Sequence, residues 1–427
     1  MQRRALIGLV ILATGCAGAV AAPAVNEPTT TTTVMTPTTT VAPPVVAALR
    51  ELRVADDNGR IVEVDGGEVH GPRPGILGMD GHTEVGTKGT QVFWIPDDGP
   101  SYGARVEGPV GNQIMDGELV PLVTDTAGEW VALGPPAGEA AHGTIAAGRS
   151  TTELAVVHPG GDVVTVELNG NFVPEAFSLE SHNGQAAPQL YVLEYRPAEA
   201  PTHYRVRVLD PNTGELAWPI SLRRYGETVE TEMAGISRDQ VVAGGRALLF
   251  TLYRGTHGET DRAYAFIHVL SMWGGVWCLE VPALLDLANT QGVVAVSPDE
   301  STLYAVSANG LVAEYRIDDV IDPGRSPVAA RVVRTSAGWE DPPVAVVTDQ
   351  HLIVGQGRGV TWFERDQLGA SGQAASFGAV EALATTEGGD LIVAAAGHLG
   401  LAVPGAPIEP LVELPAAAGS VVRIAPK

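Results

Sequence analysis

Sulfur and imidazole are the side chains of this sequence with the most local chemistry to offer. The chain has two cysteines, Cys16 and Cys278, and ten histidines. Cys278 stands in Trp277-Cys278-Leu279, one hairpin's length after His268. A thiol with a histidine at that spacing can act as a nucleophile with its base. The plainer reading is a small buried hydrophobe near a hydrogen-bonded histidine that sits between two sheets. On a strand, Phe266, His268 and Leu270 share one face. The histidines occur singly, without His-x-His or His-Glu-x-x-His, so no zinc site has a local signature. Asp56-Asp57-Asn58-Gly59 and the stretch Asp210 to Glu215 are composed like calcium loops. They lack the twelve-residue spacing, and both read as turns. There is no Gly-x-Ser-x-Gly elbow and no Gly-x-x-x-x-Gly-Lys phosphate loop. Carboxylates brought together from distant segments would leave no such mark. The expectation is no metal, no cofactor and no catalytic residue that local spacing can name.

Composition narrows the partners. The 427 residues carry 50 acidic and 26 basic side chains, a net charge of −24. Binders of duplex nucleic acid need a basic footprint, so no nucleic-acid partner is expected. The apolar fraction of 45% is that of a folded protein. No apolar run approaches the roughly 18 residues of a membrane-spanning helix.

The first sixteen residues carry an address. Arg3-Arg4 supplies a positive start, residues 5–12 (Ala-Leu-Ile-Gly-Leu-Val-Ile-Leu) form a short apolar core, and Ala13-Thr14-Gly15 precede Cys16. This run resembles the lipobox of bacterial lipoproteins, with Ala13 where leucine is usual and Leu12 one place earlier. The resemblance implies a signal peptide over 1–15, cleavage after Gly15 and diacylglycerol on the Cys16 sulfur. Two or three acyl chains would anchor stably where one does not. The alternative is a plain signal peptide with a chance cysteine. Residues 16–49 follow as a linker, in which Thr and Pro dominate residues 23–44. That composition forms an extended spacer reaching roughly 60–70 Å at about 3 Å per residue.

Removing the first 49 residues leaves 378 of the 427. Helical signals are thin there; the best is Pro282 to Ala288, barely two turns. Elsewhere short apolar runs alternate with Gly, Pro, Asp and Asn, which reads as many short strands. Asp57-Asn58-Gly59 before Arg60 to Asp65 is a hairpin by its turn chemistry.

A weak repeat organises the strands. Val294 to Tyr315 reads strand, turn, strand, turn, strand; Val380 to Val403 follows the same plan, and Val344 to Phe363 is a third copy. Second-strand anchors fall at Leu154, Leu190, Leu248, Leu303, Leu352 and Leu391, a mean step of about 47 residues, within the roughly 40–50 of one propeller blade. Val92 to Ile95 and Trp130 to Leu133 are candidate strands of earlier units. The chain over 50–427 is therefore read as an all-β propeller, seven blades favoured and six or eight allowed. The early strand Ile61 to Val64 is expected to close the ring by pairing with residues 391–424. A β-sandwich pair or a β-helix is the competing architecture.

Val294 to Tyr315 resembles the YVTN/WD40-like repeats of secreted bacterial proteins. The stretches Ala247 to Tyr253, Ala265 to Leu270 and Val276 to Pro282 are similar to propeller lipoproteins of high-GC bacteria. Asp210-Pro-Asn-Thr213-Gly214 to Trp218 resembles the blade repeat of quinoprotein propellers and outer-membrane assembly scaffolds, where the Trp packs against a neighbouring blade. Quinoproteins carry it in most blades, and here it occurs once. The resulting expectation is a binding or scaffold module with a protein or glycan partner, held outside a bacterial cytoplasmic membrane through Cys16. The competing expectation is an envelope hydrolase or lyase with a site in the central channel.

Overall fold

The computed structural model describes residue 49 and residues 51–426, except 79–82, 89–90, 96–101, 107, 117, 137, 139–145, 158–161, 179–187, 218–221, 225–226, 230–231, 257–262, 322–327, 336–340 and 387. Cys16 and Trp218 lie outside the described residues. No described helix is long and apolar enough to cross a membrane.

Strand pairing resolves the body into eight antiparallel units. The first contains β1 (Leu52–Asp56), β2 (Arg60–Asp65) and the start of β3 (Glu68–Leu77). At Gly75 the strand β3 leaves β2 and pairs with the next unit, β4 (Glu84–Lys88), β5 (Gln91–Ile95) and β6 (Tyr102–Arg105). A Cβ on Gly75 would stand 2.6 Å from the Val85 carbonyl oxygen, so the handover needs glycine. A helix, α1 (Gly108–Asp116), leads to the third unit of β7 (Val120–Thr124), β8 (Val131–Gly134), β9 (Thr151–Val157) and β10 (Val163–Asn169). The sequence contained no signal for α1; its Gly and Pro content hides it.

The fourth unit is β11 (Asn171–Phe177), β12 (Leu190–Arg196) and β13 (His203–Leu209). Its outer edge is made by two single bridges, Leu209 to Leu216 and Tyr204 to Met233. Between them a hairpin of β14 (Leu222–Arg224) and β15 (Glu227–Val229) crosses to the fifth unit. That unit is β16 (Ile236–Ala243), β17 (Leu248–Thr256), β18 (Ala263–Ser271) and β19 (Gly275–Glu280), and β14 pairs with β19. The sixth holds β20 (Gly292–Val296), β21 (Thr302–Ser307), β22 (Leu311–Arg316) and, after the short α2 (Ile317–Val320), β23 (Arg331–Arg334). The seventh is β24 (Val344–Val347), β25 (His351–Gln356), β26 (Gly359–Glu364) and β27 (Ala370–Ala375). The eighth is β28 (Val380–Thr385), β29 (Leu391–Ala395), β30 (His398–Ala402) and β31 (Pro410–Glu413).

The last strand, β32 (Val421–Pro426), returns to the first unit and pairs with β1, Val54 opposite Ile424. This corrects the expected closure. Ile61 to Val64 lies in β2, one strand further out, and residues 391–413 belong to a unit complete without it. The innermost strands lie side by side around a circle: β3 by β7, β7 by β11, β16 by β20, and so on to β28 by β32. Gln240 of β16 hydrogen-bonds Glu175 of β11, and Arg423 of β32 donates to the Gly78 carbonyl beside β3, which completes the ring. The described residues thus form an all-β propeller of eight blades, one more than the seven the sequence favoured, because β3 is shared between the first two units.

Each strand sends alternate side chains into the interfaces on its two sides. On β21, Leu303 and Ala305 pack towards the fifth blade, while Tyr304 and Val306 pack towards the seventh. Both faces are buried, so strands read as unbroken apolar runs. All six anchor leucines are buried. Leu154 lies on the third strand of its blade and the other five on the second, because the third blade's second strand is β8 with Leu133. The expected helix over Pro282 to Ala288 is one 3₁₀ turn, Ala283–Leu285.

Candidate functional site

Among the described residues, polar groups concentrate where the inner strands meet and along one row of the fifth blade. The strands β3, β7, β11, β16 and β32 surround a cavity of about 140 Å³ on the axis, lined by Leu77, Leu122, Glu175, Gln240, Val241 and Arg423 among others. Glu175 projects from β11, whose register shifts between Pro174 and Ala176, and that irregularity sets its carboxyl against the neighbouring blade. Its Oε1 accepts from Gln240 Nε2 at 3.1 Å and more loosely from Thr251 Oγ1 at 3.5 Å. Loss of hydration raises the Glu175 pKa to about 7, against a smaller opposing effect of those two bonds. On β16, Asp239 is also raised, to about 6, by burial. Its Oδ2 accepts from the Val294 N–H of the next blade at 2.7 Å, and the Arg423 guanidinium pulls its pKa partly back.

The same device recurs across the ring. Glu381 on β28 accepts from the Val421 N–H of β32 at 2.9 Å, again from an inner strand to the next. A carboxylate accepting a backbone N–H from the adjacent blade satisfies a donor that the inner strand's open edge would leave unpaired.

Gln240, Thr251, His268 and Cys278 are successive cross-strand partners on β16, β17, β18 and β19. They form one polar row from the channel to the blade's outer edge, on the face that packs against the fourth blade. The sequence showed His268 and Cys278 near each other; it did not show the row, because Gln240 and Thr251 belong to other strands. His268 is buried between the two blades, its ring centroid 6.1 Å from that of Tyr204 and 6.0 Å from that of Tyr253. The expected hydrogen bond is absent: neither imidazole nitrogen has a partner, and the tilted rings of Tyr204 and Tyr253 lie beside it. Burial lowers its pKa to about 4, so it is neutral at physiological pH. Cys278 is half-buried and outside any disulfide, and its Sγ lies 3.9 Å from Met233 Sδ. No thiol–imidazole hydrogen bond joins it to His268, so the nucleophile-and-base pairing is not assembled.

A larger recess, about 570 Å³, opens between the sixth and seventh blades and is lined by Asp299, Tyr304, Glu314, Arg331, Asp349 and Arg365 among others. Two of its arginines, Arg331 and Arg365, are tied into the wall. Arg331 donates to the Glu314 carboxylate and to the Asp366 carbonyl at 2.6 Å. Arg365 donates to the Asp349 carbonyl at 3.0 Å and to Asp299 Oδ1 at 3.2 Å. Hydrogen bonds from Ser297 and Ser301, with Arg365 nearby, hold Asp299 down at about 2.

The two acidic segments are turns, as read. Asp56 Oδ1 accepts from the N–H groups of Asn58 and Arg60 at 2.9 Å each, and Asp210 Oδ1 from that of Asn212 at 2.8 Å.

No known protein family matches this sequence, and no curated protein does. Among solved structures, the chain is similar to BamB from Moraxella catarrhalis (13% identity, 81% of this chain and 91% of that one, TM-score 0.42). It is similar to Sqt1 of Saccharomyces cerevisiae (8% identity, 83% and 82%, TM-score 0.42). A chain of a mitotic checkpoint complex is a third (10% identity, 68% and 76%, TM-score 0.38).

Proposed function

We propose that the protein is a binding scaffold of the bacterial cell envelope, anchored outside the cytoplasm by acyl chains on Cys16 and holding its propeller on the Thr/Pro linker. The observation that carries the binding role is the inter-blade recess of about 570 Å³, in which Arg331, Arg365, Glu314 and Asp299 are already held by hydrogen bonds. Side chains held in place lose little entropy when a partner docks, which favours recognition of a polar protein or glycan surface. Photo-crosslinkers placed at the exposed Arg316 in that recess and, as control, at exposed Val422 test this in intact cells. A reproducible partner captured at residue 316 alone is expected. Equal capture at both sites, or none, would remove the recess from the proposal.

Anchoring is tested separately. Cys16→Ser removes the sulfur nucleophile, so acylation and cleavage before residue 16 should both stop. Detergent partitioning and intact mass read the result. A mature wild-type chain that starts beyond Cys16 without acyl mass overturns the anchor.

A second reading, an envelope hydrolase or lyase, is favoured by Glu175. A channel carboxyl with a pKa of about 7 suits a general acid. Turnover of an envelope glycan by the wild type, lost in Glu175→Gln, would move the function to the channel.

A further inference from the structure

At the outer end of the polar row, three side chains with soft or borderline donor atoms line the seam between two blades. Cys278 ends the row on β19, His268 stands directly opposite it on β18, and Met233 reaches in from the edge of the fourth blade. Directly opposed side chains on antiparallel strands leave the same face of the sheet with their Cβ atoms about 5 Å apart. The thiol and thioether sulfurs are 3.9 Å apart. Two sulfurs each about 2.3 Å from one ion would at that spacing subtend about 115° at it, between the tetrahedral and trigonal angles. The imidazole is 1% exposed and has two unsatisfied nitrogens, an arrangement that a folded protein rarely leaves without a reason.

We propose that Met233, His268 and Cys278 form a binding site for a monovalent soft metal ion, copper(I). No three His, Cys, Asp or Glu side chains converge among the described residues, so a site here takes the thioether as its third ligand. Thiolate and thioether sulfur select copper(I), and imidazole completes the set. Charge makes the same choice. On binding, the Cys278 S–H bond breaks, an S–Cu bond forms and the proton leaves to solvent, with no change of oxidation state. Thiolate and copper(I) sum to zero charge, whereas zinc(II) would leave one positive charge among Tyr204, Tyr253 and Phe266, which is costly in an apolar seam. Half-buried Cys278 is the entry point for the ion.

The test uses the full chain carrying Cys16→Ser, which leaves Cys278 as its sole thiol. Copper(I) is offered without oxygen in competition with a coloured copper(I) chelator. The expected result is one equivalent withdrawn per chain, none with Cys278→Ser, and affinity lower by about tenfold or more with either Met233→Leu or His268→Leu. Met233→Leu nearly conserves volume and His268→Leu removes unsatisfied nitrogens, so both variants should fold, as circular dichroism will verify. The proposal is overturned if the chelator keeps its copper, or if both leucine variants bind like the parent, which would make the thiol an isolated ligand. Zinc(II) held as tightly as copper(I) would also overturn it.

Discussion

Glu175 and His268 titrate in opposite senses, although burial drives both. For Glu175 the folded-state pKa, about 7, exceeds the ordinary carboxyl value near 4.5. Its contribution to stability is fully present below about 4.5 and is lost as pH rises through 7. Glu175→Gln keeps acceptors for Gln240 and Thr251 without the charge. It should therefore stabilise the protein at pH 8 by about 1–2 kcal/mol, discounted for half-burial, and change little at pH 4. Urea denaturation at the two pH values decides; equal effects at both would mean that the carboxyl is hydrated in the fold. For His268 the folded value, about 4, lies below the ordinary 6.5. Its contribution is present above 6.5 and is lost as pH falls through 4. His268→Leu should flatten the acid limb of the stability profile between those values, and an unchanged limb would place the ring in contact with water. Neither behaviour could be read from residue identity. Glu175 meets Gln240 65 positions away, and the tyrosines around His268 come from two other strands, β13 and β17.

At the scale of strands and seams, the first interface stands apart. The seam between the first and second blades has a small apolar cluster, Ala55, Ile61, Leu77 and Ala425. A charge cluster lies beside it. Buried Glu84 on β4 takes Arg73 of β3 through two hydrogen bonds of 2.5 Å, and buried Arg53 of β1 lies 3.7 Å away. Glu63 on β2 adds a second carboxylate 3.3 Å from Arg73. Removing the central anion would take the carboxylate from beside buried Arg53 and leave Arg73, which is partly exposed, to Glu63 alone. Glu84→Gln should cost about 3–5 kcal/mol, far more than loss of an exposed pair such as Arg246–Asp318. Denaturation of Glu84→Gln and of Asp318→Asn makes the comparison; similar small losses would show that water reaches the cluster. The strand plan was legible where turn chemistry and apolar runs coincide, as in β20 to β22 and β28 to β30. Blade four was not, because its outer strand is reduced to two bridges around an inserted hairpin.

For the whole molecule, stability rests on closing the circle. β32 covers β1, and the seam it completes buries Leu52, Val54, Val62 and Ile424 with residues of the eighth blade. Deleting residues 421–427 should expose that edge, lower the melting temperature and split a cooperative transition into broader ones. Calorimetry with limited proteolysis reads this. A truncated chain that still melts in one sharp transition would show that eight blades hold without the closing strand.

What could be read without a structure was local or periodic. The hairpin at Asp57-Asn58-Gly59, the turn at Asp210, the all-β class and the blade-length repeat each depend on residues within a few tens of positions of one another. Turn chemistry and strand alternation act over that range. The number of blades, the identity of the closing strand and the polar row from Gln240 to Cys278 were settled only in three dimensions. Each depends on groups that meet from distant parts of the chain, the extreme case being the backbone pairing of Leu52 with Pro426, 374 residues apart. Backbone donors and acceptors are alike at every position, so no spacing in the chain records which of them will meet.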